Sequence, residues 1–451
     1  MANIDRDHIW HPFARQNPVS LNLLVEKAQG AHLYTANGPL LDLISSWWVS
    51  IHGHSNKEIA DAIHKQCTTL DHVIFSGFWH EPAASLVREL RPFVAPYRHS
   101  NLSHYFFSDN GSTSVEIALK MAYQYYYNIV QSYAGSDVAY TALQNRDKVV
   151  TFRGCYHGDT FGCMSVSSAG YHDLFRALCF DVHVLEWPEY YIGCDIDALL
   201  VQEKNMLQEL ERVCESAYAL IIEPLVQGAS GMHMMRPECL KKIVEIAHQH
   251  EVFVIFDEVM TGFYRTGKFF AMDHIRAQND MSGIDVAEPD IICLSKALTG
   301  GVMPMALTVA SDEIYSAFVS LNREQMLAHG HSYTANPLGC AAGLKSLEIL
   351  QRPESMQNLE RVIQAQKIGV EMIAERCADY VHKVRSLGVI VAWEMDSVQC
   401  AQQVVRILYA KGILLRNLGN VLYILPPYCV EHQELLAAYE SIGDVICEIC
   451  N

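Results

Sequence analysis

The chain has 451 residues, half of them apolar, and its 33 Lys and Arg against 51 Asp and Glu give a formal net charge of −18. This length allows two or three domains, or one large α/β domain with a smaller one appended. The acidic balance argues against a nucleic-acid-binding protein, which needs clustered Lys and Arg. The sequence shows neither a leader peptide nor an apolar run of about twenty residues, so we expect a cytoplasmic protein without membrane contact.

In chain order, amphipathic helices are predicted over 58–71 and 81–90, and short apolar strands then alternate with longer helices. The strands are predicted at 105–107, 148–152, 219–222, 252–256, 291–294 and 306–310, and the helices at 113–129 and 237–250. This alternation is typical of an α/β fold with a mostly parallel sheet covered by helices. Ligands bind such sheets at the carboxyl ends of the strands.

From residue 332 onwards the pattern changes. Helices are predicted at 339–350 and 359–376, and strands at 389–394 and 421–425. This order predicts a second, smaller α+β domain. The segment 131–146 is predicted to be a variable connection.

The cysteines and histidines do not form a recognisable metal motif. The fourteen cysteines are scattered, so we expect reduced thiols rather than a secreted disulfide framework. Cys447 and Cys450 have redox or zinc spacing, but no second cysteine or histidine pair lies near them in the sequence. The His-Gly-His segments at 52–54 and 329–331 also lack carboxylate or cysteine companions. The sequence therefore predicts no metal site.

Two charged residues stand at the ends of apolar strands. Asp257 ends the strand 252–256, and Lys296 follows the strand 291–294. Either residue alone is usually a surface group or a cap, but buried charges need partners. Pyridoxal phosphate offers one to each, because its aldehyde condenses with a lysine amine and its ring nitrogen becomes a cation that an aspartate stabilises.

The sequences around these two residues carry a family resemblance. Asp-Glu-Val-Met-Thr-Gly-Phe-Tyr-Arg-Thr-Gly at 257–267 and Ser-Lys-Ala-Leu-Thr-Gly-Gly at 295–301 resemble the signature segments of class III pyridoxal-phosphate aminotransferases. The resemblance implies fold type I of the pyridoxal-phosphate-dependent transferases. It implies a large cofactor-binding domain at 56–331, a small domain at 332–451 with which residues 1–55 pack, and a homodimer with shared active sites.

The loop after the strand 105–107 leads through a glycine into a predicted helix. Backbone amides and the positive end of a helix dipole stabilise phosphate, although by itself this segment reads as an ordinary capped helix. The resemblance implies that Gly111 and Ser112 bind the cofactor phosphate. Asn110 stands where a serine is more common, which should leave the amides available.

The resemblance assigns roles to further residues. It implies that Tyr156 stacks on the cofactor ring and also faces substrate, with Lys296 and Asp257 as the other catalytic residues. It places Glu223 near the cofactor, paired with Arg265 when no substrate carboxylate is present. It gives Ser332 a contact with the phosphate of the neighbouring subunit's cofactor.

Two segments near the start of the chain narrow the resemblance. Trp-His-Pro-Phe at 10–13 and Ser-Trp-Trp at 46–48 are similar to the diaminopelargonate synthases of biotin synthesis, and the similarity extends over essentially the whole chain. These enzymes transfer an amino group from S-adenosylmethionine to 8-amino-7-oxononanoate by a ping-pong mechanism that uses a covalent lysine–cofactor bond, giving 7,8-diaminononanoate.

The substrate residues follow from that similarity. It implies that Trp48 forms a wall of the substrate pocket, which Gly301 and Arg265 also line, and that Arg416 binds the distant carboxylate of the keto acid, for which the planar fork of an arginine is suited. Phe13 replaces a tyrosine whose hydroxyl contacts substrate.

Alternative functions remain open at this point. One is the same reaction with lysine as donor, and another is a different class III ω-aminotransferase that acts on ornithine, 4-aminobutyrate or β-alanine. The tryptophan segments disfavour the second. A pyridoxal-phosphate-binding protein without turnover is disfavoured because lysine, ring acid and phosphate loop are all present.

Overall fold

The structure is a computed structural model that describes residues 1–14, 22–96, 101–132, 146–276 and 287–450, without the side chains of 130–132 and 450. Most of the predicted connection at 131–146 therefore lies outside the described residues. None of the described helices combines the length and apolarity needed to cross a membrane.

The described residues form α-helices in the following order: α1 Ala2–His8, α2 Ser45–Trp48, α3 Lys57–Cys67, α4 Glu81–Val94, α5 Gly111–Ser132, α6 Phe161–Val166, α7 Ile196–Cys214, α8 Pro237–Gln249, α9 Asp273–Arg276, α10 Asp312–Ser316, α11 Pro337–Leu350, α12 Pro353–Arg376, α13 Val398–Ala410 and α14 His432–Cys450. Short 3-10 turns lie at Asp173–Leu178, Lys296–Thr299 and Arg323–Gln325. The strands are β1 Val25–Gln29, β2 His32–Thr35, β3 Gly38–Asp42, β4 Leu102–Ser108, β5 Lys148–Phe152, β6 His183–Leu185, β7 Ala217–Ile222, β8 Val226–Gln227, β9 His233–Met234, β10 Phe253–Asp257, β11 Ile291–Leu294, β12 Ala306–Ser311, β13 Val381–Leu387, β14 Ile390–Met395, β15 Ile413–Leu414, β16 Arg416–Leu418 and β17 Val421–Ile424.

The central element is a seven-stranded sheet in the order β4-β12-β11-β10-β7-β5-β6. Strands β11, β10, β7, β5 and β6 pair in parallel, whereas β12 runs antiparallel to both its neighbours. Every residue of β7, β10 and β11 is buried, as expected for parallel strands covered on both faces. The predicted α/β fold with a mostly parallel sheet is confirmed.

Alternation along β10 divides the core between the two faces of this sheet. Phe253 and Ile255 belong to the apolar cluster that includes the inner face of α5, while Val254 and Phe256 belong to the larger cluster that includes α8. Because both faces are covered, the open positions for a ligand lie at the strand ends. The carboxyl ends of β5, β7, β10 and β11 all meet at one edge of the sheet.

The described residues also form three smaller sheets. One is the antiparallel pair β8-β9, and a second is antiparallel in the order β13-β14-β17-β16. The third has the order β1-β2-β3-β15 and pairs Leu41 and Asp42 of β3 with Ile413 and Leu414 of β15. Residues near the start of the chain therefore share a sheet with the segment that leads into Arg416. The domain boundaries at 55/56 and 331/332 stay predictions.

Candidate active site

A cavity of about 1060 Å³ lies at the sheet edge where β4, β5, β7, β10 and β11 end. The loops after these strands line it, together with residues 12–13, 47–49, 301–305 and 416–419. It brings together most of the residues predicted from the sequence: Phe13, Trp48, Gly111, Ser112, Tyr156, Glu223, Asp257, Lys296, Gly301 and Arg416.

Lys296 begins the 3-10 turn after β11 and has a left-handed backbone with φ 43°. Its Nζ lies 5.1 Å from the centroid of the Trp48 ring. Burial lowers the pKa of Lys296, against the opposing influence of the Asp257 and Glu223 carboxylates. A lowered pKa increases the fraction of neutral amine, which is the nucleophilic form.

Asp257 ends β10 and is 5% exposed. Its Oδ2 lies 2.8 Å from Nδ1 of His157, and its Oδ1 accepts a hydrogen bond from the Val259 amide at 3.1 Å. Burial alone would lower the pKa of His157, but its neighbours Cys155 and Asp257 raise it above its usual value. The two contacts fix one carboxylate in the cavity wall.

His157 was not among the predicted site residues, so its contact with Asp257 is a finding of the structure. The signal was present, because His157 follows β5 and the order β5-β7-β10 places the ends of these strands at one edge. The contact could have been inferred once that strand order was assumed.

The first turn of α5 forms a cradle beside Gly158. An added Cβ at Gly111 would lie 2.7 Å from Cγ1 of Val259, and one at Gly158, where φ is +120°, would lie 2.3 Å from Oγ of Ser112. The Asn110 side chain accepts from the Thr113 amide at 2.9 Å and so caps the helix. The amides of Gly111 and Ser112 belong to the first turn, whose N–H groups have no intrahelical partner. This end of the cavity suits an anion.

Tyr156 and Glu223 contact each other on the wall between these groups. The Tyr156 amide donates to Oε2 of Glu223 at 3.0 Å, and its hydroxyl donates to Oδ1 of Asp159 at 3.0 Å. Burial, with the Asp159 carboxylate next in importance, raises the pKa of Tyr156, so the phenol stays protonated. Burial also raises the pKa of Glu223 to about 7.

The predicted ion pair between Glu223 and Arg265 is wrong for this structure. Glu223 accepts instead from the backbone amides of Tyr156 and Gly228. Arg265 is fully buried and donates to Oγ of Ser45 at 3.2 Å, to the carbonyls of Trp48 at 3.1 Å and of Pro426 at 3.2 Å. Because these oxygens already hold its guanidinium, Arg265 lies behind Trp48 rather than beside Glu223.

Another part of the cavity wall is aromatic and carries the cation of Arg416. The Arg416 guanidinium lies 4.8 Å from the centroid of the Trp47 ring. Phe13 contacts Trp47 and Tyr171 edge-on, with ring centroids 6.1 Å and 5.8 Å apart. Trp47 and Tyr171 were not among the predicted substrate residues. Trp47 adjoins the predicted Trp48 in sequence, whereas no local pattern points to Tyr171.

Residues 13–446 match the family described as Aminotransferase class-III. The chain belongs to the class III aminotransferases. It is 42% identical over 453 residues to the adenosylmethionine-8-amino-7-oxononanoate aminotransferase of Synechococcus elongatus, which covers 98% of this chain and 99% of that relative.

Solved structures share the fold of this chain. The crystal structure of the adenosylmethionine-8-amino-7-oxononanoate aminotransferase of Methanocaldococcus jannaschii has a TM-score of 0.86 at 31% identity and covers 99% of this chain and 98% of that one. A thermostable 6-fold mutant of an omega transaminase from Pseudomonas jessenii has a TM-score of 0.87 at 21% identity, and the match covers 100% of this chain and 98% of that one. This second match shows a similarity in fold alone.

The chain is therefore a pyridoxal-phosphate-dependent aminotransferase, and its residues fit pyridoxal 5'-phosphate. Neither Gly111 nor Gly158 can carry a side chain without displacing Val259 or Ser112, so the close packing around the free amides of the first turn depends on both glycines. Lys296 supplies an amine and Asp257 a buried acid in the same cavity. A phosphorylated pyridine aldehyde needs these three features together.

Two residues of the predicted site lie outside the cavity of this aminotransferase. Arg265 is separated from it as described above, and Ser332 lies in an exposed turn. Gly301 does line the cavity, and an added Cβ there would lie 2.7 Å from the backbone of Val49, so this position excludes a side chain. The roles predicted for all three stay predictions.

Proposed function

We propose that this aminotransferase transfers the amino group of S-adenosylmethionine to 8-amino-7-oxononanoate, giving 7,8-diaminononanoate for biotin synthesis, in two half-reactions at one site. Relatives at 42% and 31% identity carry the name of this activity. The observation that carries the proposal is the arrangement of the cavity, with the Lys296 amine in one region, Arg416 in another and aromatic walls beside both.

An aliphatic keto acid with a distant carboxylate suits this arrangement. Its apolar chain can pack against Trp47 and Trp48, while its carboxylate reaches the guanidinium of Arg416. Within the described part of the chain, Arg416 forms no ion pair, and its side chain is exposed at the cavity wall. An incoming carboxylate therefore does not have to displace an acidic side chain of the protein.

The catalytic roles follow from the positions of the polar atoms. Bound pyridoxal phosphate supplies an electron sink that makes the hydrogen beside the substrate nitrogen acidic. Lys296 Nζ would hold the cofactor covalently, and its amine would accept and return the proton of the substrate. Asp257 would stabilise the ring cation, with its carboxylate kept oriented by His157. Gly111 and Ser112 would hold the phosphate, and Tyr156 would cover the ring and face the substrate.

Glu223, Gly301, Phe13 and Arg265 complete the proposed site in supporting roles. Glu223 borders the cofactor with its backbone hydrogen bonds, and Gly301 leaves room for substrate beside the segment of Val49. Phe13 gives the donor an aromatic contact without a hydroxyl. Arg265 serves the substrate pocket by holding Trp48.

The active protein is proposed to be a cytoplasmic homodimer with a large domain at 56–331 and a small domain at 332–451, which residues 1–55 join. Ser332 reaches the phosphate of the cofactor in the neighbouring subunit. Ser332 is exposed and lies outside the active-site cavity of its own subunit, so its hydroxyl is available to a second chain, which supports this role.

Separate half-reactions test the proposed donor and acceptor. The yellow holoenzyme is mixed with S-adenosylmethionine or with lysine, and the loss of visible absorbance is followed. S-adenosylmethionine should remove it, and 8-amino-7-oxononanoate should then restore it and yield 7,8-diaminononanoate by mass spectrometry. If only lysine removed the visible absorbance, the amino donor would be lysine rather than S-adenosylmethionine. If ornithine, 4-aminobutyrate or β-alanine removed the absorbance and 8-amino-7-oxononanoate was not converted, the proposed reaction would be refuted. The enzyme would then be a different ω-aminotransferase.

A further inference from the structure

The last turn of α14 meets the end of α12 at a pair of cysteines. Sγ of Cys377, directly after α12, lies 3.8 Å from Sγ of Cys447 in α14. The two residues are 447 − 377 = 70 positions apart in the sequence. The sequence spacing of Cys447 and Cys450 suggested a different pair, and the side chain of Cys450 lies outside the described residues.

The two helices are held in a fixed register near this pair. An added Cβ at Gly369 of α12 would lie 2.3 Å from the ring of Tyr439 in α14, so the helix backbone rests directly on that ring. The Tyr439 hydroxyl donates to Oε1 of Gln366 at 2.5 Å. Closer to the cysteines, Arg376 forms an ion pair with Asp444 across the same two helices. These contacts hold the two helix backbones together, so the two cysteine side chains stay side by side.

We infer that Cys377 and Cys447 are a site of reversible oxidation, at which a peroxide converts the two thiols to a disulfide that joins α12 to α14. A disulfide bond is about 2.05 Å long, so the sulfurs must approach each other by roughly 1.7 Å. Cys447 is partly exposed, whereas Cys377 is 0% exposed. Only Cys447 is thus open to an oxidant from solution.

The steps balance with a peroxide as the oxidant. The Cys447 sulfur attacks the peroxide, an S–O bond forms, the O–O bond breaks and one water leaves. The Cys377 sulfur then attacks the sulfur of Cys447, an S–S bond forms, the S–O bond breaks and a second water leaves. The two sulfurs lose two electrons, which reduce the peroxide.

Peptide mapping of the oxidised holoenzyme tests this inference. The wild-type protein and the variants Cys447→Ser and Cys450→Ser are treated with hydrogen peroxide, blocked with an alkylating reagent and digested without reductant. We expect a linked peptide pair, lighter by two hydrogen atoms, that joins Cys377 to Cys447 in the wild type and in Cys450→Ser. It should be absent from Cys447→Ser and should disappear on reduction with dithiothreitol.

Three results would overturn the inference: a bond between Cys447 and Cys450, over-oxidation of Cys447 without a cross-link, or no change under peroxide. The melting temperature gives a second measurement, because closing a loop of this length restricts the unfolded chain and should raise the melting temperature of the oxidised holoenzyme by several degrees. Neither cysteine lines the cavity, so transamination should be unchanged on oxidation. The inference is therefore independent of the proposed substrates.

Discussion

The proposed contact between Arg416 and the distant carboxylate of the keto acid predicts a specific loss of acceptor binding. Hydrogen bonds to charged groups contribute roughly 1.5–3 kcal/mol each, and an arginine fork makes two of them. Arg416 is exposed at the cavity wall, where water screens the charge, so we take the lower end of that range, about 3 kcal/mol for the pair. Since about 1.4 kcal/mol is a factor of ten, Arg416→Met should lower kcat/KM for 8-amino-7-oxononanoate roughly 100-fold.

The methyl ester of 8-amino-7-oxononanoate separates charge recognition from other effects of this substitution. Methionine keeps an unbranched apolar stem against Trp47 and removes only the cation. The wild-type enzyme should prefer the acid to its ester by about two orders of magnitude, and Arg416→Met should lose this preference. Arg416→Lys keeps the charge without the fork, so its preference for the acid over the ester should lie between those of the wild type and of Arg416→Met.

The assay is a single-turnover second half-reaction, followed at varied concentrations of acid or ester. Arg406→Met, at an exposed arginine of α13 outside the cavity, is the matched control and should behave as wild type. If Arg416→Met slowed the acid and the ester equally, the carboxylate contact would be refuted, and Arg416 would instead act through its stacking on Trp47.

Further substitutions test the cofactor end of the cavity and the donor. Lys296→Ala should abolish both the visible absorbance and turnover while far-ultraviolet circular dichroism stays native, and survival of either signal would refute the covalent role. His157→Leu removes the 2.8 Å contact with Asp257 and should lower kcat about 10–100-fold with cofactor still bound; an unchanged kcat would mean that Asp257 is oriented without it. Gly158→Ala should weaken cofactor binding in equilibrium dialysis, because the new Cβ would lie 2.3 Å from Ser112 Oγ. The control is Gly193→Ala, where φ is +82° but no atom lies within 4 Å, and it should weaken binding less. Equal losses in the two variants would point to backbone strain alone. Phe13→Tyr should change the KM of the donor about 2–10-fold and the KM of the acceptor less. Phe161→Tyr, at a position outside the cavity, should change neither KM. A larger effect on the KM of the acceptor would contradict the role proposed for Phe13.

Most of the central sheet could be predicted because its strands are short apolar runs. The predicted strand 291–294 coincides with β11, and the predicted strand 252–256 differs from β10 by one residue at each end. The pairing of β15 with β3 could not be foreseen, since the two strands are about 370 positions apart and only two residues of each take part in it. Helices α7 and α14 were not predicted either, although both are 19 residues long.

The candidate site shows the same division between local and distant information. The sequence pattern predicted that Lys296 and Asp257 face one cavity, since both follow neighbouring parallel strands. The predicted Glu223–Arg265 pair failed for a reason that no local pattern contains. It depends on where the backbone carbonyls of the 45–48 segment point, and this segment reaches Arg265 from more than two hundred positions away.

Backbone strain connects Arg265 with the substrate wall. Trp48 has a φ of 67°, in the left-handed region that a bulky residue rarely adopts, and Ser45 and Ser46 share this region with φ of 48° and 61°. Such conformations cost of order 1–3 kcal/mol each and persist only where other contacts hold them. Here the Arg265 guanidinium binds the Trp48 carbonyl and the Ser45 hydroxyl, and that hydroxyl in turn donates to the Leu425 carbonyl at 2.7 Å. A buried cation therefore holds the strained turn that presents the Trp48 ring to the cavity, so the shape of the wall depends on a residue that does not line it.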